Sequence, residues 1–221
     1  MSANVPTDLQ RIYEGRFKKN LDYRRAVWRV LIDHFFQKWV QPTDSVLDLG
    51  CGYGEFINQV QCEERFAMDL NPDLPKRISP GVKPLLQDCS APWSLPENRL
   101  DVVFTSNFFE HLPDKAALGR TLDEAHRCLK PGGRLIAMGP NIKFVPGKYW
   151  DFWDHYLPLT EASLQEALLN REYQMERCVD RFLPYTMADS KKYPLSFLRI
   201  YLRCVPAWRF FGKQFLLVAR K

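Results

Sequence analysis

The stretch Val46-Leu47-Asp48-Leu49-Gly50-Cys51-Gly52-Tyr53-Gly54-Glu55 sets three glycines at alternate positions directly behind a short apolar run. No other part of the chain constrains the fold as much. An apolar run of this length reads as a buried strand. Glycine then lets the backbone turn at positive φ and lets a ligand approach the main chain closely. A dinucleotide loop of the G-x-G-x-x-G type, counted from Gly50, needs glycine at position 55, where Glu55 stands. A pyrophosphate here would also meet adjacent carboxylates, whereas Asp48 suits a cationic ligand.

On either side of this loop the pattern alternates between strand and helix. Strands are expected at 45–50, 65–69, 82–87, 101–106, 134–138 and 215–219. A helix is expected to start at Glu55 and run to Val60. A second covers 114–129, where Ala117, Leu118, Leu122, Ala125 and Leu129 share a face. Lys130-Pro131-Gly132-Gly133 stops that helix and turns the chain. A third runs from Thr160, its expected cap, to Leu169. Residues 7–40 read as helical, with Ile12, Tyr13, Phe17, Val27, Trp28, Leu31 and Phe35 among the apolar positions. Alternating strands and helices argue for an α/β fold, a parallel sheet covered on both faces. Such sheets bind ligands beyond the carboxyl ends of their strands.

Composition narrows the class. Hydrophobic residues make up 46% of the chain and charged residues 26%, a balance typical of a globular protein. No apolar run approaches the length of a bilayer span, and MSANVPTDLQ lacks the pattern of a secretory signal. A cytoplasmic protein is expected. The six cysteines form no C-x-x-C pair and the four histidines no H-x-x-x-H pair, so no metal is called for.

The loop D-x-G-x-G-x-G at Asp48, Gly50, Gly52 and Gly54 resembles the first motif of class I S-adenosylmethionine-dependent methyltransferases, in particular the small bacterial type 11 group. The resemblance spans about residues 40–170. It implies a Rossmann-like, doubly wound sheet of seven strands, mostly parallel, with an antiparallel last strand. It also implies that S-adenosylmethionine is bound and leaves as S-adenosylhomocysteine. Carried over by position, Asp48, Gly50, Cys51, Gly52 and Gly54 would surround the methionine part. Asp69, 21 residues beyond Asp48 at the end of the second strand, would take the ribose diol, with Leu70 beside it. Asp88 and Cys89 would meet the adenine. Ser106 and Asn107, in Thr105-Ser106-Asn107-Phe108-Phe109-Glu110-His111, would reach the donor edge, while Phe108 and Phe109 read as packing residues. Some quinone-pathway relatives carry E-x-x-E-H as metal ligands, but the first position here is Asn107.

For the acceptor, a hydroxyl gains from a base that takes its proton, and histidine titrates near neutrality. His111 and His155 are the two candidates, with Glu110 either orienting His111 or facing solvent. Around His155, the run Lys148-Tyr149-Trp150-Asp151-Phe152-Trp153-Asp154-His155-Tyr156 is dense in aromatics. Trp150, Trp153 and Tyr156 are expected to line the acceptor pocket. The organisation expected is a helical cover over residues 1–40 and a donor-binding domain over 41–221, with acceptor-site insertions at about 141–159 and 185–212.

After Asp189 the chain carries eight Lys or Arg and no Asp or Glu. Between Pro194 and Phe211 these alternate with Phe197, Ile200, Trp208 and Phe210. The segment reads first as a helix packed before the last strand and second as a weak contact for an anionic membrane surface. Nucleic acid is not expected, for want of a recognition motif. The sequence thus points to methyl transfer, more to oxygen than to nitrogen, on a small-molecule, sugar or lipid-linked acceptor. A non-catalytic donor-binding protein and a nucleotide-dependent oxidoreductase stay open beside it.

Overall fold

The strand that leads into the glycine loop lies in the interior of the sheet, and all five of its residues are buried. The structure is a computed structural model and describes Arg11 and residues 20–185 and 192–221. Seven strands are ordered β3-β2-β1-β4-β5-β7-β6. They are β1 (Ser45–Leu49), β2 (Glu64–Met68), β3 (Val82–Leu85), β4 (Leu100–Ser106), β5 (Leu129–Pro140), β6 (Gln174–Val179) and β7 (Gln214–Arg220). β1 pairs in parallel with β2 on one side and β4 on the other, and β7 runs antiparallel to both β5 and β6. The expected doubly wound sheet with an antiparallel last strand is therefore the fold. The strand order reverses at β1, which opens a crevice beyond its carboxyl end.

Side chains on a strand alternate faces, and the core divides accordingly. Val46, Phe104, Ile136, Leu216 and Val218 point to one face, where they pack with Val30, Phe36, Leu198 and Trp208. Leu47, Val103, Leu135, Leu217 and Ala219 point to the other, against Leu118, Leu122, Leu164 and Leu168. Truncating any of these fully buried leucines to alanine would cost about 2–5 kcal/mol.

The first face is covered by α1 (Leu21–Leu31), which runs on through a π turn at Ile32–Phe36 and a 3₁₀ turn at Gln37–Trp39. It is also covered by α5 (Leu195–Arg203) and α6 (Val205–Phe211). The other face is covered by α3 (Lys115–Cys128) and α4 (Glu161–Leu169); the short α2 (Leu74–Arg77) follows β2. α3 starts where the Asp114 carboxylate accepts the Ala117 N–H at 2.7 Å. α4 starts at the expected Thr160 cap, in a reciprocal box with Ser163. Of the expected N-terminal helix, Ile12, Tyr13 and Phe17 lie outside the described residues.

Two expectations need correction, and one strand was not expected at its place. Residues Glu55–Val60 are turns, not a helix: the Gly54 and Gln59 N–H groups bond three residues back while those of Asn58 and Val60 bond four back, so no regular ladder forms. β5 begins at Leu129 rather than Arg134, because Lys130–Gly133 loop out within the strand, leaving Leu100 paired with Leu129 and Val102 with Arg134. β6 escaped residue-level reading: as an edge strand paired only with β7, it alternates exposed and half-buried residues and shows no apolar run.

Candidate active site

One cavity of about 590 Å³ opens beyond the carboxyl ends of β1, β2 and β4. That volume is in the range of pockets that hold a cofactor-sized ligand. One end is built by the glycine loop. Gly50, Gly52 and Gly54 all take positive φ. The Gly50 and Cys51 N–H groups both donate to the Met68 carbonyl, which ties the loop to β2. A Cβ on Gly50 would lie 2.1 Å from the Phe108 ring. Phe108 therefore packs as expected, against the loop itself, and Phe109 lies in the core.

Asp69 is buried at the end of β2 and braces this loop. One carboxylate oxygen accepts the Gly52 N–H and the other the Asn71 N–H, each at 2.9 Å. Asp48 is also buried. Burial pushes its carboxyl well above the usual range; the Ile57 N–H opposes this, and the charges of Glu55 and Asp69 add to it. Three acids thus crowd one loop, and Arg24 pairs with Glu55 at 2.5 Å. A ligand bearing positive charge would relieve that crowding, whereas a phosphate would worsen it.

Asp48, Gly50, Cys51, Gly52, Asp69, Leu70, Asp88, Cys89, Ser106 and Asn107 all line the cavity. Gly54 does not; its positive φ serves the turn. Asp88 is exposed, and its carboxylate accepts the Ser90 N–H at 2.8 Å. Asn107, at φ 50, bends the chain out of β4 and donates its N–H to Met138.

The other end is a cluster of side chains. The Glu110 carbonyl accepts N–H groups from Tyr156 and Leu157, at 2.8 and 3.1 Å. These bonds lay the aromatic run over the exit of β4. His111 Nδ1 then sits 2.8 Å from the Asp154 carbonyl and 3.2 Å from its carboxylate. Burial lowers the His111 pKa, but the Asp154 hydrogen bond and the Glu110 charge outweigh it, and the net shift is upward. His155 is buried between Tyr149, Phe152 and His111, with ring centroids 4.7, 4.8 and 5.0 Å away. Glu110, His111 and His155 hold potential ligand atoms within 4.8 Å of one another, a set that could also accept a divalent cation.

The structure brings His111, His155 and Tyr156 to the cavity wall but leaves Trp150 and Trp153 outside it, exposed by 58% and 88%. Phe152 and Asp154 of the same run also line the wall. Asp154 holds the His111 ring, and Glu110 is buried rather than facing solvent. Tyr23 and Trp28 of α1, Leu183, Tyr185 and Gln214 also line the cavity. Sequence gave no signal for them, since each reaches the site only through tertiary packing.

A family model described as a methyltransferase domain matches residues 21–188. The chain belongs to this methyltransferase family. It is 25% identical over 187 residues to a demethylmenaquinone methyltransferase of Symbiobacterium thermophilum, covering 73% of each chain. It is 28% identical over 134 residues to a 2-methyl-6-phytyl-1,4-hydroquinone methyltransferase of Synechocystis, covering 53% of this chain and 41% of that one. An S-adenosylmethionine-dependent methyltransferase of Archaeoglobus fulgidus shares the fold at TM-score 0.68 and 20% identity, covering 97% of this chain and all of that one. So does a chain from the complex of the Haloferax volcanii Trm112 methyltransferase activator with a methyltransferase, at TM-score 0.72 and 17% identity over 98% and 99% of the two chains. The reading of this methyltransferase as class I and S-adenosylmethionine-dependent stands on these matches together. Among its described residues no helix is long and apolar enough to cross a membrane.

Proposed function

We propose that this methyltransferase moves the methyl group of S-adenosylmethionine to a hydroxyl of a small, ring-bearing or lipid-linked acceptor, with His111 as the base. The observation behind the role of His111 is its ring: Nδ1 faces both oxygen types of Asp154, so the Nδ1 proton is held there and Nε2 keeps the lone pair. A base in this state takes a proton without changing tautomer. Asp154 balances the charge that the ring gains, as does the neighbouring carboxylate of Glu110.

At the other end, Asp69 would hold the ribose, Asp88 and the Cys89 N–H the adenine edge, and Gly50 and Gly52 the methionine part, with Asp48 and Glu55 countering positive charge. When bound, the donor supplies a sulfonium methyl, an electrophile needing little further activation. The protein's share is alignment and exclusion of water. Phe152, Tyr156 and Tyr185 offer aromatic surface for a ring. The two curated relatives are named for quinone-type acceptors. That supports a ring-bearing acceptor, and the His111–Asp154 pair favours transfer to oxygen.

The test has two arms. Calorimetric titration with S-adenosylhomocysteine should show binding to both wild type and His111→Ala. Turnover on a panel of catechol, hydroquinone and sugar acceptors should fall about 10²–10⁴-fold in the variant, the usual contribution of a positioned base. Unchanged turnover removes His111 from the chemistry. Tight NADH binding without S-adenosylhomocysteine binding would revive the oxidoreductase reading. Donor binding with no turnover on any acceptor would favour the non-catalytic binder.

A further inference from the structure

Half of the large hydrophobic side chains most exposed among the described residues fall between residues 193 and 211: Tyr193, Phe197, Ile200, Val205, Phe210 and Phe211. They are not the core-facing side of α5 and α6. Leu198, Leu202 and Trp208 are buried in the core, and the exposed residues stand on the turns between them. An outward helix face in water ordinarily carries charged and polar residues. Here Ile200 is exposed by 64% and Phe210 by 77%. The only charged residues on these two helices are Arg199, Arg203 and Arg209, all exposed.

The position of this surface matters as much as its makeup. α6 leads into β7 at its amino end, which lies at the same edge of the sheet as the carboxyl ends of β1 and β4, because β7 is antiparallel. Tyr23, a cavity-wall residue, both donates its hydroxyl to the Tyr193 carbonyl and accepts the Tyr193 N–H, at 3.0 and 3.1 Å. Arg181 stacks on Phe144 at 3.8 Å and donates to the Arg209 carbonyl at 2.7 Å, joining α6 to the segment that follows β5. The apolar, basic surface therefore borders the cavity.

We infer that α5 and α6 form a docking surface for an anionic lipid bilayer, with the aromatic and aliphatic side chains entering the interface and the three arginines meeting headgroup phosphates. The charge pattern selects this occupant. Apolar side chains alone would serve a second copy of the chain equally well. Three arginines without an acid on either helix would instead repel their like across a two-fold contact, and they match a negative surface. A bilayer-soluble acceptor would then meet the cavity without crossing water.

The experiment is co-sedimentation of the full chain with vesicles of phosphatidylcholine alone or mixed with phosphatidylglycerol, at low and high salt. Wild type should pellet with the mixed vesicles at low salt, lose most of that binding at high salt, and ignore the neutral ones. Each basic residue near such a surface contributes about five-fold, so Arg199→Gln, Arg203→Gln and Arg209→Gln together should weaken partitioning by about a hundred-fold. Phe210→Ser with Phe211→Ser should weaken it while leaving its salt dependence. Failure to pellet with mixed vesicles at low salt overturns the inference, as does equal pelleting by the triple arginine variant. A dimer in sedimentation velocity that Phe210→Ser with Phe211→Ser dissolves also overturns it, by naming a second copy as the occupant. Vesicle binding is read without donor and donor binding without vesicles, so this inference and the methyl-transfer reading fail separately.

Discussion

The two ends of the cavity are built by different means. The end proposed to take the donor comes from a contiguous stretch and one strand neighbour: a backbone bend at Gly50 and Gly52 held by the Met68 carbonyl and the Asp69 carboxylate. The end proposed to take the acceptor is assembled from residues far apart in the chain, with His111 set by Asp154 and the whole run anchored on the Glu110 carbonyl. The first depends on what side chains are absent and the second on where side chains meet. A substitution at the donor end should therefore act on binding, and one at the acceptor end on the rate and its pH dependence.

The sharpest way to break that division is Gly50→Ala. At φ +67 the new Cβ would sit in the left-handed region and 2.1 Å from the Phe108 ring. The backbone change costs about 1–2 kcal/mol, and overpacking against Phe108 adds about 1–3 kcal/mol. Relief requires the loop or Phe108 to move, and either displaces the donor cradle. S-adenosylhomocysteine affinity should fall by about a hundred-fold or more in calorimetry while circular dichroism stays that of a folded protein. Near wild-type affinity would show that the bend is not the donor cradle.

Asp154→Asn should act at the other end and more gently. His111 has a raised pKa because the Asp154 hydrogen bond and nearby negative charge outweigh the effect of burial. As the base must be unprotonated, activity should rise with pH through that raised value. Removing the Asp154 charge lowers the His111 pKa, so the acidic limb of kcat/KM should shift to lower pH. Turnover on the plateau should drop about ten-fold, since loss of the charge destabilises the protonated ring. Donor affinity should not change. An unmoved acidic limb in the pH–rate profile would mean that another group, His155 first, sets it.

The same contrast explains what was legible in the sequence. The parallel sheet, the glycine bend and the placing of Asp69 on the cavity wall were readable because each rests on local pattern: apolar runs, glycines that turn at positive φ and an acid at fixed spacing. Residues 55–60 misled because Phe56, Ile57 and Val60 suggest a helix face, while the hydrogen bonds mix two spacings. The aromatic run after β5 was recognised as a region, but its composition could not say which members face inward. That is decided by the Tyr156 and Leu157 N–H groups bonding Glu110, a contact 46 and 47 residues distant along the chain. Tyr23 and Gln214 reach the cavity from opposite ends of the sequence, a meeting no local pattern encodes.

The smallest expected effect is at Trp153. Trp153 is one of three aromatic residues expected from the sequence to line the acceptor pocket, yet it is 88% exposed and off the cavity wall. An exposed side chain with so little packing to lose changes stability by no more than about 0.5 kcal/mol. Trp153→Ala should therefore leave turnover on a water-soluble acceptor within about two-fold of wild type. Tyr156→Ala, which removes a wall residue, should raise KM for the same acceptor. If the two variants behave alike, the aromatic run closes over the acceptor in a conformation that brings Trp153 to the wall. The acceptor end would then be shaped by its ligand, in contrast to a donor end already fixed by backbone.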